Sequence, residues 1–344
     1  MTSLPRAYYM ISIDGSDVTS NFDPVLINLR IPLTDGGKSD TLEVTLDDSY
    51  GRIAMPRIGA SVTAMLAWSD GSGAVFFQGK TDEPESEGSR GGGMTLRITA
   101  RATDMEGKPK EKQQEHEDDK KFGDVAEKWG KKADLKVQVD DKLKSIKRSY
   151  WAMQNESFMG WGQRMAEELG ATFKIMGDKA VFVPRNSGKS VTGTALGTVM
   201  ATYGDNIISW SITPVQTRPK YQDAIVRYYD NKEAKWQRER VGITGLNGKV
   251  PFVETKKAAD KDRAKNKAES NAEEAKRGKG GGQITIIGNP NAQAQTNLIV
   301  AGVRSGVDGT YRITTATHNY SRSEGWLTTC DLEQPQGEEG KSES

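Results

Sequence analysis

At 344 residues the chain has room for two or three packed domains, and 35% hydrophobic content with 28% charged residues and 37 glycines fits several small β-rich domains and polar connecting segments better than one thick α/β sheet. A single cysteine, Cys330, excludes an internal disulfide, and a formal charge of +1 excludes a global attraction to nucleic acid or anionic lipid. No apolar run approaches the roughly 20 residues of a membrane helix, and the opening MTSLPRAYYMISIDG lacks the basic-then-apolar order of a leader, so the expectation is a soluble chain made in a cytoplasm, without membrane insertion.

From Tyr8 to Asp104 the sequence alternates. Val25, Ile27, Leu29 and Ile31 recur every second residue, as do Leu42, Val44 and Leu46, then Val62, Ala64, Leu66 and Trp68, then Met94, Leu96, Ile98, Ala100 and Ala102. Period two means one wet face and one buried face. Asp14-Gly15, Asp35-Gly36-Gly37, Asp70-Gly71 and Gly91-Gly92-Gly93 supply turns. About six short strands at this spacing predict an antiparallel sandwich or barrel over residues 1–105.

Residues 106–148 mix twelve lysines with eleven acids, which reads as a solvated connector carrying one docked helix around Phe122, Val125, Ala126 and Trp129. Trp151 to Val183 then reads as a helix feeding a two-stranded ribbon. Phe158, Trp161, Met165 and Leu169 share one helical face, Asn155 or Ser157 caps its start, and Gly170 ends it. Gly160 and Gly162 each cost about 1 kcal/mol relative to Ala in a helix interior, a flaw that tertiary packing has to offset. Thr172 to Met176 and Lys179 to Val183 pair across Gly177-Asp178, as in a type II′ hairpin. The connector and this unit make an insert domain over residues 106–185.

Strands resume over residues 186–335. Ile207 to Thr213, Ala224 to Asp230, Ile284 to Ile287, Leu298 to Ala301, Tyr311 to His318 and Trp326 to Leu332 form a second set. Within it, Glu254 to Lys279 carries nine basic and six acidic residues, good helix composition with hardly any apolar stripe. That predicts a surface helix, at about residues 254–279, contacting a partner through ion pairs and ending at Gly278 and Gly280 to Gly282. The tail at residues 336–344 is polar and expected to be disordered. Two similar strand counts around one insert have the shape of an internal duplication, although no residue-level repeat is visible in the sequence.

The chain is poor in chemistry. Asn186-Ser187-Gly188-Lys189-Ser190 resembles the end of a phosphate-binding loop, but the first glycine would fall at Val183. GxSxG, HExxH and CxxC are absent, and two histidines with one cysteine make a zinc site a poor expectation. His318, at a strand end, reads as a hydrogen-bonding structural residue. The adjacent acids Asp47-Asp48, Glu167-Glu168 and Glu338-Glu339 lack the apolar setting that would raise one pKa for glycoside hydrolysis. The seven dispersed tryptophans read as packing residues. No catalytic, cofactor-binding or metal-binding residue is expected.

Several stretches resemble one family in order. Pro5-Arg6-Ala7 before a strand ending Asp14-Gly15, Asp40-Thr41-Leu42-Glu43-Val44-Thr45-Leu46-Asp47-Asp48, Pro56-Arg57-Ile58-Gly59-Ala60 and Gln78-Gly79-Lys80-Thr81-Asp82-Glu83 are similar to the late control protein D family of contractile-tailed phages. The likeness continues through Gln154-Asn155-Glu156-Ser157-Phe158, Arg164 to Ala171, Gly309-Thr310-Tyr311-Arg312-Ile313, Thr317-His318 and Thr328 to Glu333, about residues 5–335 in all. The family usually has bulky apolar residues where Gly160 and Gly162 stand. The resemblance implies a mainly β fold, with two tube-type antiparallel β-barrels flanking a helix-plus-hairpin insert, as in the amino-terminal part of type VI secretion spike proteins. It implies a non-enzymatic baseplate hub, with Gln154, Glu156, Ser157, Gly170, Gly309, Tyr311 and His318 as structural or interface positions. The implied partners are two further copies in a homotrimer with a pseudo-sixfold ring, the trimeric spike, the hexameric tail tube, wedge proteins and the tape measure, on a virion baseplate assembled in the bacterial host cytoplasm. The rival from the enzyme class is a tail-associated peptidoglycan hydrolase.

Overall fold

The alternation of the first hundred residues becomes one curled antiparallel sheet in the computed structural model, which describes residues 5–35, 39–102, 107–176, 178–185, 196–213, 221–230, 233–244, 248–277 and 281–333. Its elements are β1 (Ala7–Ile13), β2 (Ser16–Asp17), α1 (Thr19–Phe22), β3 (Leu26–Thr34), β4 (Thr41–Asp47), β5 (Ser61–Trp68), β6 (Ala74–Thr81), β7 (Glu85–Ser89) and β8 (Gly93–Arg101). Hydrogen bonding runs β3-β4-β8-β6-β5-β1. Numbered by appearance, with the short β2 and β7 aside, the main strands therefore lie in the order 2-3-6-5-4-1. β7 continues the line of β6 along one side of β8: Thr81 faces Ala100, and Glu85 to Ser89 face Arg97 to Gly93. Tyr9, Ile11, Leu29, Ile31, Val44, Leu46, Val62, Leu66, Val75, Phe77, Leu96 and Ile98 all enter one buried cluster. Six strands can share one core only if the sheet curls toward a barrel.

The middle of the chain is more ordered than a charged connector. β9 (Lys112–Lys121) is a strand, followed by α2 (Phe122–Lys132), β10 (Lys136–Val139), α3 (Asp141–Lys144), β11 (Lys147–Ser157), α4 (Phe158–Glu168), β12 (Ala171–Met176) and β13 (Lys179–Pro184). β9 pairs with β11 in a two-stranded ribbon, so Trp151 lies in a strand ahead of the helix. Ser157 caps α4, its Oγ accepting from the Gly160 amide at 3.1 Å. Asn155 is not the cap: it bulges out of β11 with φ 53°. Gly170 follows the helix with φ 62°, the left-handed turn that ends it. The β12–β13 hairpin has the expected pairing, Thr172 to Val183 through Met176 to Lys179, while its turn residue Gly177 lies outside the described residues. Trp161 sits at the centre of the core, 5.0 to 6.1 Å from the rings of Phe122, Trp129, Phe158 and Phe182.

The last part holds β14 (Thr198–Thr202), β15 (Ile207–Thr213), β16 (Tyr221–Asp230), β17 (Lys235–Gly242), β18 (Val250–Val253), α5 (Lys261–Arg277), β19 (Gly281–Ile287), β20 (Asn297–Ala301), β21 (Gly309–Ser321) and β22 (Gly325–Glu333). Its sheet runs β15-β19-β22-β21-β20-β14. This is again 2-3-6-5-4-1, the path of the first set. One predicted member is replaced: Ala224 to Asp230, in β16, belongs to a separate sheet β17-β16-β18, and the sixth strand is β14. The separate sheet and α5 form an excursion between the second and third strands, where the first set has only the short connection from Thr34 to Thr41.

The expectation that this helix lacks an apolar stripe is also corrected. Ala264, Ala268 and Ala272, four residues apart, are buried against Val226 and Tyr228 on one side and Ala224 and Ile243 on the other. Methyl groups let a highly charged helix lie close to a sheet without a wide apolar face. α5 meets its own chain beyond the sheet: Ser270 Oγ donates to the Glu167 carbonyl at 2.9 Å, and Arg263 bonds the Tyr150 carbonyl. Gly281 and Gly282 open β19 and do not end the helix; Gly278 and Gly280, like the tail from Gln334, lie outside the described residues.

The two helical glycines of α4 prove unlike each other. A Cβ on Gly162 would come within 2.5 Å of the Phe173 ring, whereas one on Gly160 would meet only Ser157 Oγ at 3.5 Å. Gly162 is therefore a close-packing requirement, and only Gly160 remains an uncompensated loss of helix propensity. In thermal or denaturant unfolding, Gly160→Ala is expected to stabilise by up to about 1 kcal/mol. Gly162→Ala is expected to destabilise by roughly 1–3 kcal/mol through overpacking.

Candidate assembly interface

The shared strand path extends to single residues. β3 bulges against β4 between Leu26 and Asn28, and β15 bulges against β19 between Ile207 and Ser209. The β7–β8 hairpin closes on Ser89 opposite Gly93 (φ 77°), and the β21–β22 hairpin on Ser321 opposite Gly325 (φ 70°). The Thr81 amide donates to the Ala60 carbonyl and the Ile313 amide to the Thr296 carbonyl, both at 2.9 Å. Immediately before these acceptors stand Gly59 (φ 75°) and Gln295 (φ 73°), whose amides donate to the carbonyls of Thr81 and Ile313. Backbone hydrogen bonding thus supplies the residue-level repeat that side-chain identity had erased. One difference stands out: β1 meets β5 antiparallel, but β14 meets β20 parallel.

The two repeats join edge to edge within the chain. β3 pairs antiparallel with β21, from Leu29 opposite Tyr320 to Thr34 opposite Thr315, so the second strand of repeat one lies on the fifth strand of repeat two. At one end of this seam Trp326 leaves its own repeat and enters the first core, stacked on Trp68 at 5.4 Å, while Trp68 Nε1 donates to the Gly288 carbonyl at 3.0 Å. At the other end lies a buried polar knot. Arg312 contacts Asp35 at 3.0 Å and Glu333 at 2.6 Å; Gln295 donates to Asp35 Oδ1 and Thr172 Oγ1; Lys174 pairs with Asp40 at 2.7 Å. Thr172 and Lys174 belong to β12, so the knot also fixes the insert domain to the seam. A left-handed Gln costs more than a left-handed Gly, and the two bonds that Gln295 Nε2 donates hold this one in the knot.

The family-motif positions fall into two places. Gln154, exposed at the end of β11, Glu156, Ser157 and Gly170 surround α4; Glu156 pairs with Arg164, which also bonds Glu168 at 3.3 Å and the Ala152 carbonyl at 3.0 Å. Gly309, Tyr311 and His318 lie together on β21. Tyr311 donates to the Val307 carbonyl at 2.6 Å. His318 is fully buried. Its Nε2 lies 3.0 Å from the Ala292 carbonyl, which can only accept, so Nε2 carries the proton. Nδ1 then accepts from Thr328 Oγ1 at 3.0 Å and from Trp326 Nε1 at 3.3 Å, while Thr328 Oγ1 accepts the Asn289 amide. His318 therefore ties the Asn289–Ala292 segment to the seam and orients Trp326.

Three of the acids weighed for catalysis, Asp47, Asp48 and Glu168, are occupied by structure, and Glu167 is exposed on α4. Asp48 accepts the amides of Arg52 and Ile53 at 2.8 and 3.1 Å, Asp47 accepts Ser49, and Glu168 pairs with Arg148 and Arg164. Burial pushes the Cys330 thiol up to about 12, which leaves it without nucleophilic thiolate at neutral pH. Among the described residues no group of three His, Cys, Asp or Glu side chains could hold a metal, and no helix is long and apolar enough to cross a membrane. Asn186 to Ser190 and Glu338-Glu339 lie outside the described residues.

No family model matches the chain. It is 28% identical over 242 residues, 70% of its length, to a protein of Escherichia phage 186 named "Probable baseplate hub protein", and 25% identical over 197 residues, 57% of its length, to one of Escherichia phage P2 with the same name. The resemblance is to baseplate hub proteins. The chain spans 61% and 50% of those two relatives. Among solved structures, the 43 kDa tail protein of prophage MuSo2 from Shewanella oneidensis superimposes with a TM-score of 0.69 at 13% identity, over 96% of this chain and 98% of that one. An Escherichia coli component of the type VI secretion system, described as structurally similar to phage T4 tail proteins, gives 0.55 at 9% identity, over 93% and 76%. The mainly β fold with an α/β insert is thus shared with phage tail and type VI secretion proteins.

The seam histidine sets an acid limit. Burial holds His318 down from its ordinary 6.5 to about 4. The unfolded chain binds this proton below 6.5 and the folded chain resists it until about 4, so the stabilisation is complete above 6.5 and is lost as pH falls through that window. In paired denaturant titrations His318→Gln is expected to be less stable at pH 7, with the gap to the unsubstituted chain narrowing by on the order of 3 kcal/mol on acidification. A gap that stays constant across the window would contradict the neutral buried imidazole.

Proposed function

We propose that the chain is a structural baseplate hub of a contractile tail or a related injection device, and not an enzyme. The observation that carries this reading is the duplicated 2-3-6-5-4-1 barrel whose two copies pair edge to edge inside one chain. Such a seam makes one polypeptide behave as two successive segments of a ring. Three copies would present six near-equivalent barrels to a sixfold tube while keeping three insert domains for a threefold spike, and a closed ring of this kind removes sheet edges that would otherwise stay unpaired. Wedge proteins and the tape measure are the further partners of such a hub, at the virion baseplate after assembly in the host cytoplasm. The names of the phage relatives support the hub, and the structural occupation of Asp47, Asp48 and Glu168 speaks for scaffold over peptidoglycan hydrolase.

Co-expression with the tube and spike proteins of the same particle, followed by mass measurement and imaging of the isolated complex, is expected to find three copies in a ring. A chain that stays monomeric beside both partners would overturn the reading, as would a clearing zone of this chain on a cell-wall zymogram.

A further inference from the structure

The internal seam is a template with two vacant counterparts. β15 is the equivalent of β3, and β7 the equivalent of the seam-forming half of β21. β3 and β21 fill each other, but among the described residues β15 pairs with β19 on one side and β7 with β8 on one side, and no strand lies on the other edge of either. We propose that the β15 edge of one protomer adds antiparallel to the outer edge of β7 of a second copy, repeating the β3–β21 contact between chains. This rests on the ring proposed above and names the strands that close it.

The register follows from the residue equivalences. The shared bulge places Trp210 at the position of Leu29, and the shared hairpin closure places Gly88 at the position of Tyr320. Leu29 opposite Tyr320, Arg30 opposite Asn319 and Ile31 opposite His318 therefore translate into Trp210 opposite Gly88, Ser211 opposite Glu87 and Ile212 opposite Ser86. The side chains suit the match. A glycine leaves the indole room, and an aromatic across from an edge glycine is a known stabilising pair. β15, IISWSIT, has no charge and no proline, the devices by which natural sheets protect an edge from pairing. β7 carries Glu85 and Glu87, both already paired with Arg97 of β8, so the contact places no like charges opposite each other. Exposed apolar groups flank both strands: Ile208, Trp210 and Tyr203, 54, 40 and 58% exposed, on one, and Met94, 39% exposed, on the other. Met94 lies across from Gly88 as Trp326 lies across from Tyr320, so it is the counterpart of the side chain that plugs the internal seam.

The full chain carrying Ser211→Cys and Glu87→Cys tests the register, with Ser211→Cys and Ser86→Cys as the control whose second thiol points to the opposite face. The native Cys330 is buried and gives no background. All three substituted positions are exposed, and unchanged thermal unfolding under reducing conditions verifies the fold of each variant. Mild oxidation of concentrated protein is expected to give the first pair a covalent ladder ending at three chains, absent from the control and from each single variant. A ladder equal in both double variants, or none in either, overturns the strand pairing. Copies that form a ring without the crosslink leave the ring standing and this edge wrong, whereas a ladder running past three chains supports the pairing and overturns threefold closure.

Discussion

A sheet edge is a row of backbone donors and acceptors that must find partners or water, and the architecture of this chain follows from how it fills one such row. β3 is hydrogen-bonded by β4 on one side and by β21, some three hundred residues away in sequence, on the other. Because β21 also pairs with β20 and β22, this one contact fuses two barrels into a continuous sheet. Trp326 can enter the foreign core only because that sheet is continuous, and Arg312 can reach Asp35 only because β3 ends beside β21 at Thr34 while β21 runs on. Remove the pairing and the stacked indoles, the polar knot and the anchoring of the insert domain lose their common support.

The polar knot explains why the insert is not a loosely tethered appendage. A buried Arg312 with two carboxylates and Lys174 with Asp40 add little net stability over apolar packing, but removing Arg312 leaves Asp35 and Glu333 without their cation, and removing Asp40 leaves the buried Lys174 without its carboxylate. Such contacts fix geometry more than they add free energy. They hold β12 against the end of the seam in one orientation, and Ser270 and Arg263 of α5 grip the insert from the excursion in the second repeat.

Much of this was legible from residue pattern and some was not, for identifiable reasons. Period-two alternation located the barrel strands, and Ser157, Gly170 and the β12–β13 hairpin were readable because cap, stop and turn are local signals. Ala224–Asp230 was misplaced because alternation reports that a strand has a buried face, not which sheet buries it. The stripe of α5 was missed because alanine barely registers as apolar while its burial is complete. Gly162 looked like a defect because its reason, the Phe173 ring, lies on another element. The duplication was invisible in side chains and plain in backbone register: a bulge, a hairpin closure and a left-handed residue recur where Leu26, Ser89 and Gly59 have Ile207, Ser321 and Gln295 as counterparts. Selection on hydrogen-bond geometry leaves the side chains free to diverge.

In the proposed ring that divergence separates the internal seam from the one between copies. The internal one has accumulated the buried arginine, the stacked tryptophans and a histidine held neutral, groups that need a partner always present. Its counterparts on β15 and β7 carry serine, threonine, isoleucine, glycine, one exposed tryptophan and two surface glutamates paired with Arg97, all of which water tolerates. A contact within one chain is spared the several kcal/mol of translational and rotational freedom that association between chains loses, so it can accommodate desolvated charge. A contact that must first exist as two exposed surfaces cannot leave charges half-buried and unpaired in the meantime. A strand edge that is uncharged on β15 and has its glutamates already paired with Arg97 on β7 meets both demands in the proposed ring: it remains soluble alone and would gain backbone hydrogen bonds and burial together when a second copy docks.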